Sequence, residues 1–148
     1  MAIDASGVVE REIRIDARPE TVFGFFTDPA LLLRWKGLEA DLEPRPGGIY
    51  RVVVNARSTI RGEYVEVEPP TRVVFTWGFE GSDGTLPPGA STVEVTLTPD
   101  GEGTLLRLVH RDLPAPEREL HGQGWDHFLE RLRKAAAGDD QGPDPWAR

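Results

Sequence analysis

Between residues 45 and 113, five stretches place apolar side chains at every second position; from 114 onward apolar residues recur every three or four, and the period does not change back. Alternation on that scale builds a sheet with one apolar face, and a single later helix must cover it. "RPGGIYRVVVN" (45–55) turns on two glycines, then sets Tyr50, Val52 and Val54 against Arg51, Val53 and Asn55. "STIRGEYVEVEP" (58–69) continues, with Val65 and Val67 set against Glu66 and Glu68, and Pro69-Pro70 makes a turn. "RVVFTWGF" (72–79) gathers Val73, Phe75, Trp77 and Phe79 on one face. After a loop by composition at 80–90, "STVEVTLTP" (91–99) opposes Val93, Val95 and Leu97 to Thr92, Glu94 and Thr96. "DGEG" is a hairpin turn, and 104–113 returns with Leu106, Leu108 and His110 inward.

The covering helix begins near Pro114–Pro116 and stops near Gly138. Trp125, Phe128, Leu129 and Leu132 form its apolar face. Glu117 and Glu119 suit its first turn, and the basic residues of "RLRK" suit its last. Before the long run of strands, "VVEREIRID" (8–16) reads as a half-buried strand. Pro19 opens one short helix, and Asp28-Pro29 caps and opens another. "LEADLEP" (38–44) is a further short strand. The sequence therefore predicts an α+β domain over 8–137: two short helices after the first strand, a strand meander of consecutive neighbours, and one long C-terminal helix. Residues 138–148, "GDDQGPDPWAR", have no periodicity and are expected to form a disordered tail.

A chain of 148 residues suits one domain with a core of its own. It has no cysteine, which excludes disulfides, thiolate metal sites and a cysteine nucleophile, and which fits a reducing cytoplasm. The net charge of −8 disfavours nucleic acid and anionic membrane surfaces as partners. The start shows no secretion signal, and no apolar run is long enough to span a bilayer. Arginine (15) outnumbers lysine (2), which with the abundant Gly, Pro and Ala suggests a GC-rich, bacterial genome.

Phe26, Tyr50, Phe75, Trp77, Phe79, Trp125 and Phe128 point at the interior, and Gly62, Gly78, Gly122 and Gly124 stand among them. Bulky rings beside missing side chains leave a space that sheet and helix do not fill. "IDARPETVFGFFTDPALLLRW" (15–35), "PRPGGIYRV" (44–52), "GEYVEVEPPTRVVFTW" (62–77), "STVEVTLTPDGEGTLLRLVH" (91–110) and "HGQGWDHFLERL" (121–132) follow in that order. Together they resemble the activator of Hsp90 ATPase homologue 1-like domain, part of the START-like (SRPBCC, Bet v 1-like) helix-grip superfamily. The resemblance implies a curved seven-stranded antiparallel sheet gripping the C-terminal helix, with a hydrophobic pocket between them. The family name implies chaperone activation. The eukaryotic activator has a separate N-terminal chaperone-binding domain for which this chain has no room, so chaperone activation is not expected.

The resemblance places a ligand among Phe26, Trp35, Tyr50, Val52, Tyr64 and Phe75 on one side. Trp77, Val95, Leu108 and His110 continue the sheet wall, and His121, Trp125 and Phe128 belong to the helix. Gly122 and Gly124 have two readings of equal standing: a bend or close approach of the helix over a pocket mouth, or tight packing without a pocket. His110 is the one catalytic candidate, as an acid or base with Tyr50 or Tyr64 converging on it; a hydrogen-bonded strand-end histidine is the more economical reading. His121 and His127 lie on different sides of a helix, so no metal site is expected. Arg51 and Glu63 are expected to pair across neighbouring strands. No cofactor motif is present. Three functions follow in order: a cytoplasmic carrier or sensor of a small hydrophobic or aromatic molecule, a cyclase- or hydrolase-type enzyme using His110, and a protein-interaction module. A homodimer is compatible with the sequence, though nothing in it argues for one.

Overall fold

The computed structural model describes residues 8–81, 86–142 and 144–147. Seven strands form one antiparallel sheet: β1 (Val9–Ile15), β2 (Glu39–Leu42), β3 (Ile49–Asn55), β4 (Ser58–Glu68), β5 (Arg72–Trp77), β6 (Ser91–Asp100) and β7 (Gly103–Arg111). Their order is β1-β7-β6-β5-β4-β3-β2. The meander of consecutive neighbours holds from β2 to β7, and β1 joins the far side of β7, pairing Val9 with His110 and Ile15 with Thr104. Helices α1 (Pro19–Thr27) and α2 (Pro29–Leu32) fill the connection from β1 to β2. Each opens on a proline, whose fixed φ suits the first turn, and Asp28 caps α2 by accepting a hydrogen bond from the Ala30 amide.

Helix α3 (Ala115–Ala136) lays Trp125, Phe128, Leu129 and Leu132 on the sheet, as its spacing requires. The core between them takes Val22 and Phe26 from α1, Val73 and Phe75 from β5, Val93 and Val95 from β6, and Leu106 and Leu108 from β7. The sheet bends at two bulges, one between Val53 and Asn55 on β3, the other between Tyr64 and Glu66 on β4. The second bulge corrects the sequence reading. Ile60, Gly62 and Tyr64 face inward and Val65 is 52% exposed, while the inserted residue shifts the alternation so that Val67 packs back against the core; Val65 and Val67 do not share a face. Gly62 is required there, because a Cβ would lie 1.9 Å from the Thr76 carbonyl oxygen on β5.

The expected Arg51–Glu63 pair does not form. Arg51 stands opposite Arg61 in the sheet register, and its Nε donates to Glu80 at 2.7 Å, an acceptor beyond β5 that local alternation does not reveal. Past α3, composition predicted a disordered tail, whereas the structure lays a short 3-10 turn (Pro145–Ala147) against α3 and β3. Trp146 stacks on His127 with ring centroids 4.0 Å apart, Asp144 meets His127 Nε2 at 2.8 Å, and Asn55 Nδ2 donates to the Trp146 carbonyl at 3.2 Å. These partners lie on other elements, where segment composition gives no sign of them.

Candidate functional site

A cavity of about 230 Å³ lies between the N-terminal half of α3 and the ends of β3, β4 and β5. Trp77, Phe79, Ile60 and Val54 form its sheet wall; His121, Gly124, Trp125 and Phe128 form its helix wall. Leu120, 64% exposed, belongs to its lining together with the polar Asn55, Ser58 and Glu117. Lys36 contributes an ammonium group from below.

Two glycine-specific features make the site. A Cβ at Gly124 would meet nothing within 4 Å, so the absent side chain leaves space in the cavity. That excludes close helix–sheet approach as its reason. Gly122 lies outside the cavity lining, and a Cβ there would meet the Arg11 guanidinium at 2.9 Å. It clears room for Arg11 of β1, which reaches across to Asp126 of α3 at 2.6 Å.

Lys36 is positioned by its neighbours in sequence. Trp35 is fully buried; its indole Nε1 donates to the Phe25 carbonyl at 3.0 Å, and its own carbonyl accepts from Arg131 Nε of α3. Gly37 adopts φ +86° and passes so near β3 that a Cβ would sit 2.9 Å from the Val53 carbonyl oxygen. Only glycine takes that turn without strain. Between these anchors the Lys36 side chain points under α3. Its Nζ lies 4.0 Å from the Trp77 ring centroid, 4.5 Å from Trp125 and 4.9 Å from Phe128. Burial holds its pKa well below the ordinary lysine range, and the Asp144 charge offsets this only in part. Sequence reasoning missed Lys36. The available signal was its rarity, one of two lysines beside fifteen arginines, directly after a tryptophan.

The histidines carry a closed relay. The Trp125 indole donates to His110 Nδ1 at 3.0 Å, so the proton of His110 sits on Nε2, 2.8 Å from the Ser91 hydroxyl. The Ser91 hydroxyl donates in turn to the Trp77 carbonyl at 2.8 Å. The Trp77 indole donates to His121 Nε2 at 3.2 Å, which puts the His121 proton on Nδ1, facing the Glu117 carbonyl at 2.9 Å. Both rings are neutral. Burial, with His121 and Lys36 nearby, pushes His110 down to about 2, and burial also lowers His121. His110 has no free lone pair, is fully buried, and lies behind the wall rather than in it.

Of the pocket residues read from the sequence, Trp77, His121, Trp125 and Phe128 line the cavity. Phe26, Trp35, Val52, Val95 and Leu108 are fully buried core instead. Tyr50, Tyr64 and Phe75 form an aromatic stack beside it, Tyr50 lying 4.0 Å from Phe75 and 6.5 Å from Trp77. Tyr64 donates its hydroxyl proton to the Phe26 carbonyl at 2.8 Å, so it supplies no partner to His110. Among the described residues no cluster of His, Asp and Glu could hold a metal ion.

The fold matches that of known proteins. The profile of the family described as "Activator of Hsp90 ATPase homolog 1-like protein" matches residues 16–137. The chain belongs to this family. It is 29% identical over 111 residues to the human activator of 90 kDa heat shock protein ATPase homolog 1, a match that covers 74% of this chain and 31% of that protein. The chain thus spans about a third of the curated relative's length. An AHSA1-like protein from Rhizobium etli is 46% identical, with a TM-score of 0.75 over 100% of this chain and 92% of that one. CalU16 from Micromonospora echinospora is 30% identical, with a TM-score of 0.73 over 93% of this chain and 77% of that one. Among the described residues no helix is long and apolar enough to cross a membrane.

Proposed function

We propose that this family member is a binding module for a small aromatic or flat apolar molecule, held in the cavity between α3 and the β3–β5 end of the sheet. The observation that carries this reading is the empty space at Gly124, walled by Trp77, Trp125 and Phe128. A fully packed interior leaves few voids larger than a water molecule, and a dry cavity of about 150 Å³ already accepts benzene. About 230 Å³ therefore suits one or two fused rings. The closed histidine relay argues for binding over acid–base catalysis, since it leaves no imidazole nitrogen to exchange protons with a ligand.

Titration with naphthalene, followed by amide chemical shifts, tests this. Shifts confined to Trp77, His121, Trp125 and their neighbours support the reading. The variant Gly124→Leu fills the space with a good helix former and should lose the response while staying folded. A folded Gly124→Leu protein that binds naphthalene as the parent does would refute it. Similarity to the human activator favours a second reading, an interaction module acting on a chaperone. Unchanged Hsp90 ATPase turnover in the presence of this chain would count against that reading.

A further inference from the structure

Lys36 is a buried basic group of the cavity wall that the binding reading leaves unused. It is 2% exposed; its backbone amide donates to the Leu32 carbonyl, but among the described residues nothing accepts a hydrogen bond from its ammonium or forms an ion pair with it. An ammonium carries three donors. The attraction of desolvated rings for a cation returns less than removing the charge from water costs. The rings around Nζ therefore compensate the charge only in part. Asp144, the carboxylate whose field reaches Lys36, is engaged through Oδ1 by His127 and by the Trp146 amide; its buried Oδ2 has no hydrogen-bond partner and forms no ion pair with Lys36, so it offsets the burial of the lysine only in part. The histidine nitrogens facing the cavity already have partners.

We propose that Lys36 selects ligands carrying one acidic head, a carboxylate or phenolate, on a flat apolar body: the head pairs with the lysine and the body fills the cavity beside Gly124. This rests on the cavity being a ligand site. A buried lysine compensated only in part gains more from an acid than from a neutral isostere, because the acid supplies both an acceptor and the charge that holds the lysine protonated. Binding is also coupled to a proton. Burial holds the free lysine low, and a paired acid raises it, so the acid is bound with uptake of a proton and its affinity falls as pH rises. The other titratable groups near Lys36 are His110 on β7, His121 on α3 and Asp144 in the tail, with Glu117 of α3 in the same cavity lining. His110 and His121 are held low by burial.

The test compares 2-naphthoate with its isostere 2-naphthamide. The parent protein should bind the acid at least tenfold more tightly. Lys36→Met, an apolar side chain of similar length, should bind the amide at least as well as the parent and lose the preference. Equal affinities in the parent would overturn the role of Lys36 and leave the cavity reading intact; binding of neither compound would overturn both. A preference kept by folded Lys36→Met would also overturn the proposal. If that variant does not fold, the parent decides alone: naphthoate affinity should fall between pH 7 and 9 while naphthamide affinity stays level. A level naphthoate affinity would refute proton-coupled pairing.

Discussion

Two glycines in the same helix, two residues apart, should respond differently to the same substitution. In an exposed or open helix interior, Gly→Ala gains about 1 kcal/mol because alanine loses less backbone freedom on folding. At Gly124 nothing opposes the gain, since the new methyl meets no atom within 4 Å. For a domain of this size, about 1 kcal/mol corresponds to a rise of roughly 2–4 °C in Tm. At Gly122 the same methyl lies 2.9 Å from Arg11 Nη2, so the guanidinium must move and its pair with Asp126 loosens. Arg11 and Asp126 are 34% and 63% exposed, so that pair is worth about 0–1 kcal/mol and the two effects nearly cancel. Gly124→Ala should thus be stabilised by about 1 kcal/mol in urea unfolding, and Gly122→Ala by distinctly less. The assay is equilibrium unfolding with m-values compared, so that a change in the unfolded state is recognised. The alanine at 124 should also weaken naphthalene binding, because it occupies ligand space. A Gly124→Ala protein less stable than its parent would refute the open space and, with it, the cavity.

Other measurements check the rest of the architecture. His110 binds no proton in the fold until pH nears 2, whereas an unfolded histidine protonates near 6.5, so the unfolded chain holds more protons throughout that interval. Its contribution is complete above pH 6.5 and is lost at about 1.4 kcal/mol per pH unit as pH falls, and His110→Gln should flatten the stability profile between pH 6.5 and 4.5. Hydrogen exchange should show the Trp146 and Ala147 amides protected, as they donate to Asp144 Oδ1 and to the Asp144 carbonyl; exchange at the free-peptide rate would show that the tail does not dock. Gly62→Ala forces a methyl onto sheet backbone that cannot yield, and should cost about 1–3 kcal/mol or more in urea unfolding. Lys36→Met should stabilise the protein at pH 7, and the gain should shrink toward pH 10, where the unfolded parent's lysine is losing its proton as well.

The fold was legible because its signals are local and repeated. The alternation of Val93, Val95 and Leu97 sets one strand, the run Trp125, Phe128, Leu129 sets the helix, and five strands with one helix leave few ways to bury the faces. What was lost at this level came from a single insertion: the bulge after Tyr64 puts Val65 and Val67 on different faces although they are two residues apart, and only pairing with β5 reveals it.

The site was less legible, for a reason that the geometry supplies. A pocket wall and a packed core select the same side chains, so alternation placed Phe75, Val95 and Leu108 facing inward beside Trp77 but could not say where the interior stops being filled. That boundary is drawn by what is missing, the side chain of Gly124, and by what costs stability, the buried charge of Lys36. Hydrophobic patterning records neither, because it registers residues that lower the free energy of the fold. A lysine held between a buried tryptophan and a left-handed glycine, with its ammonium under three aromatic rings, raises that free energy in the empty protein. A bound acid would account for such a group, and so the acidic probe, more than any further test of the core, discriminates a ligand site from a packing defect.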